Sequence, residues 1–247
     1  MISVKGKWAL ITGASRGIGT LVARFMADQG CHLILHSRKV EHCEALAREL
    51  RVLGVEVVTV AGELGDLAAV RAMLEAIDAL EVPVDLLFNN AAVQIAYRQD
   101  FWQTPADDYE QSFRINCIAP AMMCYHFMLG MIARGFGRVI NTTSGIRDEP
   151  EQAGYSASKA ALDKITKDLG TKVEGSNVII SLTDPGWCRT DLGGPRAPND
   201  PASALPGVIV GAFVNDGRSG RMFHAQDFAE LSLADAVKKA ESLVRHD

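Results

Sequence analysis

The sequence predicts an α/β protein, a single domain built on a doubly wound, Rossmann-type parallel sheet of about seven strands with helices on both faces. Short apolar runs alternate along the chain with longer amphipathic stretches. That order is typical of right-handed strand–helix–strand crossovers, which build parallel sheets. The short runs are apolar throughout rather than at every second residue, as expected of strands that helices cover on both sides.

Seven short runs of apolar and β-branched residues predict the strands, at residues 8–11, 32–36, 55–60, 86–88, 138–140, 178–182 and 220–225. Helical periodicity lies between them, at residues 40–53, 67–80, 105–134 and 155–173. A last helix is expected after Ser232, whose hydroxyl can cap a first turn that contains Asp235. The Pro- and Gly-rich residues 193–206 are too short to link a second domain, so residues 1–247 are expected to form one domain.

Composition and charge narrow the possible functions. The net charge of −5 gives no global attraction to nucleic acid or to an anionic membrane, so neither is an expected partner. The opening residues lack a basic-then-apolar leader, and no apolar run of about 18 residues is evident, which predicts a soluble cytoplasmic protein. No metal site is expected, because His32 and His36 would lie about 13 Å apart on one strand. Reduced thiols are expected for the cysteines, Cys31, Cys43, Cys117, Cys124 and Cys188.

A glycine-rich turn at residues 12–19 (TGASRGIG) connects the first predicted strand to a helical stretch. Glycine lets backbone N–H groups approach a pyrophosphate closely, and the helix N-terminus adds its positive dipole end. The glycine spacing differs from the G-x-G-x-x-G of most dinucleotide folds, and glycines alone would also suit a simple chain reversal. Their place between strand and helix predicts a dinucleotide site.

The end of the second predicted strand indicates which dinucleotide binds. An acid there would bind the ribose 2′-hydroxyl of NAD and repel the 2′-phosphate of NADP. The sequence has His36-Ser37-Arg38-Lys39 instead, and Arg16 in the glycine turn can face the same phosphate. A guanidinium matches phosphate geometry bidentately. NADP(H) is therefore the expected cofactor, the alternative being an ordinary run of solvated surface charge.

Tyr155 and Lys159 are four residues apart and so share one face of a predicted helix. A phenol with a pKa of about 10 exchanges protons poorly at neutral pH. A cation about 4 Å away, at an effective dielectric of about 20, is worth about 4 kcal/mol, or about three pKa units. Lys159, helped by an oxidised nicotinamide, is thus expected to bring the pKa of Tyr155 near neutrality, although the pair alone would also suit an amphipathic surface helix.

Six motifs in a fixed order extend these observations: residues 12–19, Asn89-Asn90-Ala91-Ala92, Asn116, Ser144, the Tyr155 and Lys159 pair, and residues 185–190 (PGWCRT). Together they resemble the short-chain dehydrogenase/reductase family over nearly the whole chain. The resemblance implies NADP(H)-dependent transfer of a hydride between nicotinamide and a carbonyl or alcohol carbon of a small molecule. Residues 187–195 and 219–224 resemble the carbonyl-reductase-like branch of that family.

The resemblance also implies a role for each site residue. Tyr155 exchanges a proton with the carbonyl oxygen, and Ser144 hydrogen-bonds that oxygen. Lys159 lowers the Tyr155 pKa and binds the nicotinamide ribose, while Asn116 holds a water that completes a proton relay. The implied cofactor contacts are Gly13, Ser15, Arg16, Gly17, Ile18, Gly19, Ser37, Arg38, Glu63, Leu64, Asn90, Ala91, Ala92, Tyr155, Lys159, Pro185, Gly186, Cys188 and Thr190.

Some residues depart from the family pattern. Ala92 replaces a glycine, which is expected to crowd the cofactor slightly. Glu63 stands where an aspartate usually meets the adenine amino group. The connection from Ser144 to Tyr155 is short, which leaves Thr143 as an alternative for the serine role.

Several alternatives stay open at this point. The chain can be a non-catalytic NADP(H) sensor or scaffold, because fold does not dictate function, or an NAD-linked alcohol dehydrogenase. The acidic residues Asp148, Glu149 and Glu151 could bind a basic substrate, although such loops are usually only solvated. Residues 187–206 are expected to form a flap over the nicotinamide end. A two-fold helix pair is expected to give a homodimer or homotetramer, with these residues at its apolar face: Met122, Phe127, Leu162 and Ile165.

Overall fold

The computed structural model describes residues 1–243 of the chain, and the remaining residues 244–247 are not described. The strands are β1 Trp8–Ile11, β2 His32–Ser37, β3 Val57–Ala61, β4 Leu86–Asn89, β5 Gly137–Thr142, β6 Val178–Asp184 and β7 Arg221–His224. The α-helices are α1 Gly17–Asp28, α2 Glu41–Arg51, α3 Leu67–Asp78, α4 Ala106–Phe113, α5 Ala119–Arg134, α6 Ala153–Lys172 and α7 Leu233–Ser242.

All seven strands lie in one parallel sheet, in the order β3-β2-β1-β4-β5-β6-β7. Helices cover both of its faces, which confirms the predicted doubly wound α/β fold. The connection order reverses between β1 and β4. In sheets of this kind ligands bind at that switch point, beyond the carboxyl ends of the strands.

The apolar core lies in two layers, one on each face of the sheet. Successive residues of a strand point to opposite faces, so Ile11 packs under α1, α2 and α7, whereas Leu10 packs under α3 and α5. Both Leu10 and Ile11 are fully buried. This double coverage explains why the strand segments of the sequence are apolar throughout.

The strands differ from their predicted bounds mainly at their carboxyl ends. Strand β6 continues two residues beyond the predicted end, because Thr183 and Asp184 pair in register with Phe223 and His224 of β7. The predicted strand ends at Leu182 because the apolar pattern stops there, whereas the observed strand ends where backbone pairing with β7 stops. At the other end of the chain, the predicted cap of α7 is confirmed, since the Ser232 hydroxyl accepts from the Asp235 amide at 3.1 Å.

Residues 106–134 form one helical stretch in which a π-helical segment, Arg114–Ile118, joins α4 to α5. Among the described residues this stretch, Ala106–Arg134, is long and apolar enough to cross a membrane by length and composition, with a mean hydropathy of 1.5. That corrects the expectation that no stretch meets this test. Half of its most apolar window is buried inside the domain, and a core helix needs the same composition.

The helix residues expected at a two-fold interface are largely packed within the chain. Phe127 and Leu162 are buried, and Met122 and Ile165 are half-buried. The outward face of α5 instead presents Leu129, at 74% exposure. The homodimer or homotetramer stays a prediction, and those four residues do not argue for it.

Candidate active site

A cleft of about 1830 Å³ opens at the carboxyl ends of the strands, across the switch point between β1 and β4. The loops after β1, β2, β4, β5 and β6 form its walls. The site residues predicted from the sequence identify this cleft. Every predicted catalytic and cofactor-binding residue lines this cleft except Gly19 and Asn116.

The glycine turn has the shape that a dinucleotide needs. Gly13 and Gly17 have φ angles of 66° and 57°, a region that favours glycine. A Cβ on Gly19 would lie 2.2 Å from the Gly13 carbonyl oxygen, so Gly19 allows the turn to close on itself rather than touching a ligand. Helix α1 begins at Gly17, and Gly17 and Ile18 of its first turn line the cleft, where free backbone N–H groups favour an anion. These residues fit the diphosphate of a dinucleotide.

The turn is tied to the end of β4 by Thr12, a residue to which the sequence analysis gave no role, and by Asn90. The Thr12 hydroxyl accepts from the backbone amides of Asn90 and Ala91, both at 3.0 Å. The Asn90 side chain donates back to the Thr12 carbonyl at 3.0 Å. Thr12 is fully buried. This link fixes the two loops on either side of the switch point relative to each other.

The end of β2 supports the turn from below. His36 is buried, and burial lowers its pKa, so the ring is neutral. Its Nε2 lies 2.9 Å from the Gly62 carbonyl and must donate there, which leaves Nδ1 to accept from the Gly13 amide at 3.4 Å. Ser37 is buried with its hydroxyl on the Lys39 carbonyl, whereas Arg38 is exposed at the cleft.

Arg16 faces away from the end of β2 in this structure. Its guanidinium pairs with Asp191, at 2.8 Å, in the segment that follows β6. Both side chains are about two-thirds exposed, and such pairs are worth about 0–1 kcal/mol. The predicted contact of Arg16 with a 2′-phosphate therefore requires this pair to open.

Tyr155 lies in the first turn of α6 with its side chain buried in the cleft wall. Burial raises the pKa of Tyr155 above its ordinary value, and an interaction with the Ser144 side chain acts in the opposite direction. Ser144, after β5, is half-buried and accepts from the Ile146 amide at 3.3 Å. The phenol and the serine hydroxyl thus face one point of the cleft.

Lys159 is buried beside this pair, and its Nζ donates to the Thr142 carbonyl at 2.7 Å. Burial lowers the pKa of Lys159 to about 8, against the pull of Asp163 and Asp184. The ammonium lies 5.9 Å from the centre of the Tyr155 ring. In this structure burial of the phenol sets the direction of the Tyr155 pKa, and the lowering expected from Lys159 together with oxidised nicotinamide stays a prediction.

The buried lysine predicts a stability effect of defined sign. A folded-state pKa of about 8 against an ordinary 10.5 corresponds to about 3 kcal/mol of destabilisation while the group is charged in both states, below pH 8. Above pH 8 the unfolded chain binds more protons, so this penalty fades and is gone above pH 10.5. Near neutral pH, Lys159→Met should therefore unfold at a higher denaturant concentration than the unchanged chain.

Denaturant unfolding of the variant and the unchanged chain across this pH range measures the effect. The stability advantage of Lys159→Met should shrink as pH rises. Lys172→Met, an exposed lysine at the end of the same helix, is the matched control and should show no such trend. A constant advantage across the range would contradict the assigned pKa.

Asn116 does not reach the cleft. It is fully buried in the π-helical segment, where its side-chain amide pairs with both backbone groups of Val93, at 2.8 and 2.9 Å. Its second N–H donates to the Ser158 hydroxyl at 3.1 Å. With its donors used in this way, the side chain anchors the loop after β4 to α6. The expected role of Asn116 in holding a water stays a prediction.

The hydrogen-bond partners of Thr143 and Ser144 indicate which of the two hydroxyls lies beside Tyr155. The Thr143 hydroxyl is buried and hydrogen-bonds the Asp163 carboxylate, away from Tyr155. Burial raises the pKa of Asp163, while that hydrogen bond and Lys159 act in the opposite direction. Thr143 therefore orders the surroundings of the lysine, and Ser144 keeps the position beside the phenol.

Asp184, at the end of β6, is a site residue that sequence analysis missed. One of its oxygens accepts from the Gly186 amide at 2.9 Å, and the other lies 3.3 Å from His224 Nδ1. The same oxygen would lie 2.7 Å from a Cβ on Gly145, so a larger residue after Ser144 would displace the Asp184 carboxylate. The sequence signal that could have identified Asp184 is its position directly before Pro185.

The segment after β6 folds back on itself over the cleft. The Trp187 indole donates to the Gly193 carbonyl at 2.7 Å, and the Thr190 hydroxyl accepts from the Gly193 amide at 3.1 Å. The Thr190 side chain reaches Gly17 of the glycine turn, where a Cβ would meet it at 3.4 Å. Cys188 is buried, and burial raises its pKa, so its thiol is unsuited to nucleophilic chemistry.

Comparisons with known proteins agree with this geometry. The family model described as short chain dehydrogenase matches residues 7–200. An uncharacterized oxidoreductase of Mycobacterium tuberculosis H37Rv is 31% identical over 248 residues, covering 96% of this chain and 72% of its own.

Two solved structures extend the likeness. A metagenomic short-chain oxidoreductase in complex with NADP is 32% identical, with a TM-score of 0.69, over 76% of this chain and 86% of its own. A 3-oxoacyl (acyl-carrier-protein) reductase from Agrobacterium tumefaciens C58 with NADP bound is 28% identical, with a TM-score of 0.74, over 95% of this chain and 87% of its own. The chain belongs to the short-chain dehydrogenase/reductase family and is an oxidoreductase of that family.

Proposed function

We propose that this protein is an NADP(H)-dependent oxidoreductase that interconverts a carbonyl and an alcohol on a small molecule. The observation that carries the proposal is the buried Tyr155 phenol beside Ser144, with Lys159 behind it, in the cleft that the glycine turn opens onto. Bound NADP(H) would supply the hydride for reduction or accept it in oxidation.

The residues of the chain would manage the proton and the oxygen. In reduction, Tyr155 donates its proton to the carbonyl oxygen, and its raised pKa keeps it protonated for that role. Ser144 donates a hydrogen bond to the same oxygen as negative charge develops there. Lys159, held on the Thr142 carbonyl, supplies the nearest positive charge and stabilises the phenolate that is left.

The preference for NADP(H) is supported by the end of β2 and by both solved neighbours described above, which contain NADP. Ser37 and Arg38 line the cleft there, and neither is an acid. The residues that would receive a 2′-phosphate are Arg38 and, once released from Asp191, Arg16.

A substrate panel separates the proposal from its alternatives. NADPH fluorescence should decay when aldehydes, ketones or diketones are added one by one. Saturable NADPH binding without turnover on any of them would favour a non-catalytic sensor. Faster turnover with NAD⁺ and alcohols than with NADPH and carbonyls would favour an NAD-linked alcohol dehydrogenase.

We further propose that residues 187–206 act as a flap over the nicotinamide end. The exposed pair of Arg16 with Asp191 is the contact that closes it onto the glycine turn. Because such a pair is worth at most about 1 kcal/mol, Asp191→Asn should speed tryptic cleavage after Arg196 by up to about fivefold. NADPH with substrate should slow that cleavage, because ligand contacts with Cys188 and Thr190 of the segment would replace the pair that Arg16 gives up.

Mass spectrometry of timed digests measures this effect, with cleavage sites elsewhere in the chain as the internal reference. Arg196 is exposed and its neighbour Ala197 is buried, so cleavage reports local opening. A cleavage rate that ignores both the variant and the ligands would contradict the flap.

A further inference from the structure

Gln152 is a buried polar residue in the wall of the cleft that the proposed chemistry does not use. It ends the 3₁₀ turn Pro150–Gln152, which leads directly into α6, and it is 4% exposed. It lies three residues before Tyr155, so the two side chains are neighbours about one helical turn apart. Both line the same cleft.

The orientation of the Gln152 amide is fixed by one partner. Its Nε2 donates to the Ile95 carbonyl at 3.1 Å, in the loop after β4. The reverse orientation would set two oxygens against each other, so Oε1 is the free end of the amide. Oε1 is therefore an acceptor without a partner, next to an Nε2 that has used one of its two N–H groups.

That acceptor is buried and has no donor among the described residues. Within residues 1–243 three other buried side-chain atoms share this condition, on Asn89, Ser112 and Arg221. None of those three residues lines the cleft, whereas Gln152 does. A buried acceptor without a donor is costly, and at a binding site the missing donor can come from the ligand.

The surroundings of Gln152 indicate a neutral donor on a compact, partly apolar molecule. Ile95, whose carbonyl binds Gln152, lines the cleft, and so do the apolar side chains of Ile146 and Trp187. The acceptor is an uncharged amide rather than a carboxylate, which suits a hydroxyl.

We infer that Gln152 Oε1 accepts a hydrogen bond from a hydroxyl on the carbon next to the reacting carbonyl, so that α-hydroxy carbonyl compounds are the preferred substrate class. The inference rests on the proposed function, because it places the substrate carbonyl at Tyr155. It adds a specificity-determining residue one turn before the proton donor.

Matched pairs of ketones test the inference. Hydroxyacetone and butanone differ by a hydroxyl in place of a methyl group, as do phenacyl alcohol and propiophenone. For each pair the ratio of kcat/KM values, hydroxy over methyl, is measured with NADPH in the unchanged chain and in Gln152→Met. The ratio cancels any general damage from losing the Ile95 contact, and it cancels the higher intrinsic reactivity of hydroxy ketones.

The ratio should fall by roughly 5- to 150-fold in Gln152→Met, the range for leaving a hydrogen-bond partner unpaired. Gln94→Met is the matched control, because Gln94 lines the same cleft but is exposed, and it should leave the ratio unchanged. A ratio that changes less than about twofold in Gln152→Met would mean that water satisfies Oε1, and it would overturn the inference.

The two proposals fail in different ways. If the unchanged chain reduces other carbonyls but neither hydroxy ketone, the inference is overturned and the proposed function stands. If NADPH binds and no carbonyl compound is reduced, the proposed function fails and the inference fails with it.

Discussion

Replacing Tyr155 with phenylalanine is expected to lower the rate of carbonyl reduction by at least about 100-fold, the usual loss when a positioned proton donor is removed. The ring stays and fills the same buried space, so the fold and the cleft should be preserved. NADPH affinity should change little, because the glycine turn and the end of β2 hold most of the proposed contacts. Steady-state kinetics together with NADPH titration separates the two effects.

The matched control is Tyr97→Phe. Tyr97 lines the same cleft but is 60% exposed, and it has no place in the proposed proton transfer. It should keep its activity within a few fold. Tyr155→Phe retaining more than about a tenth of the activity would mean that another group donates the proton.

Replacing Ser37 with Asp and Arg38 with Leu together is expected to shift the cofactor preference from NADPH toward NADH. Loss of one guanidinium–phosphate contact removes about 1.5–3 kcal/mol, or about 10- to 150-fold in affinity for NADPH. The new carboxylate would repel a 2′-phosphate and accept from a ribose hydroxyl. Titration of each variant with NADPH and NADH gives the preference ratio directly.

Two controls keep this test specific. Arg38→Leu alone should weaken NADPH without improving NADH, and it avoids placing a carboxylate at the buried Ser37 position. Arg48→Leu removes an exposed cation of α2 that does not line the cleft, and it should change neither affinity. Equal affinity of the unchanged chain for both cofactors would contradict the preference.

The parts of the site that the sequence predicted are those held by local structure. The glycine turn joins two elements that adjoin in the chain, and Tyr155 and Lys159 lie on one helix. Their positions follow from strand and helix periodicity together with glycine spacing. The structure places them in one cleft, as expected.

The parts that sequence analysis missed depend on contacts between distant segments. Arg16 meets Asp191 across 175 residues of chain, and Gln152 meets Ile95 across 57. No short-range pattern encodes such pairs, because the sheet order brings them together. Asn116 illustrates the same limit, since a motif gave its position but only its bonds to Val93 and Ser158 revealed its role.

The most direct test of the central claim follows the hydride itself. The protein is incubated with a ketone and with NADPH that carries deuterium at the transferable position of the nicotinamide, and the product is analysed by mass spectrometry and NMR. With the unchanged chain, one deuterium is expected on the carbinol carbon of the alcohol product. With Tyr155→Phe the same labelled alcohol should form at least about 100-fold more slowly. Stoichiometric binding of the labelled NADPH with no deuterium transferred to any carbonyl compound would contradict the central claim.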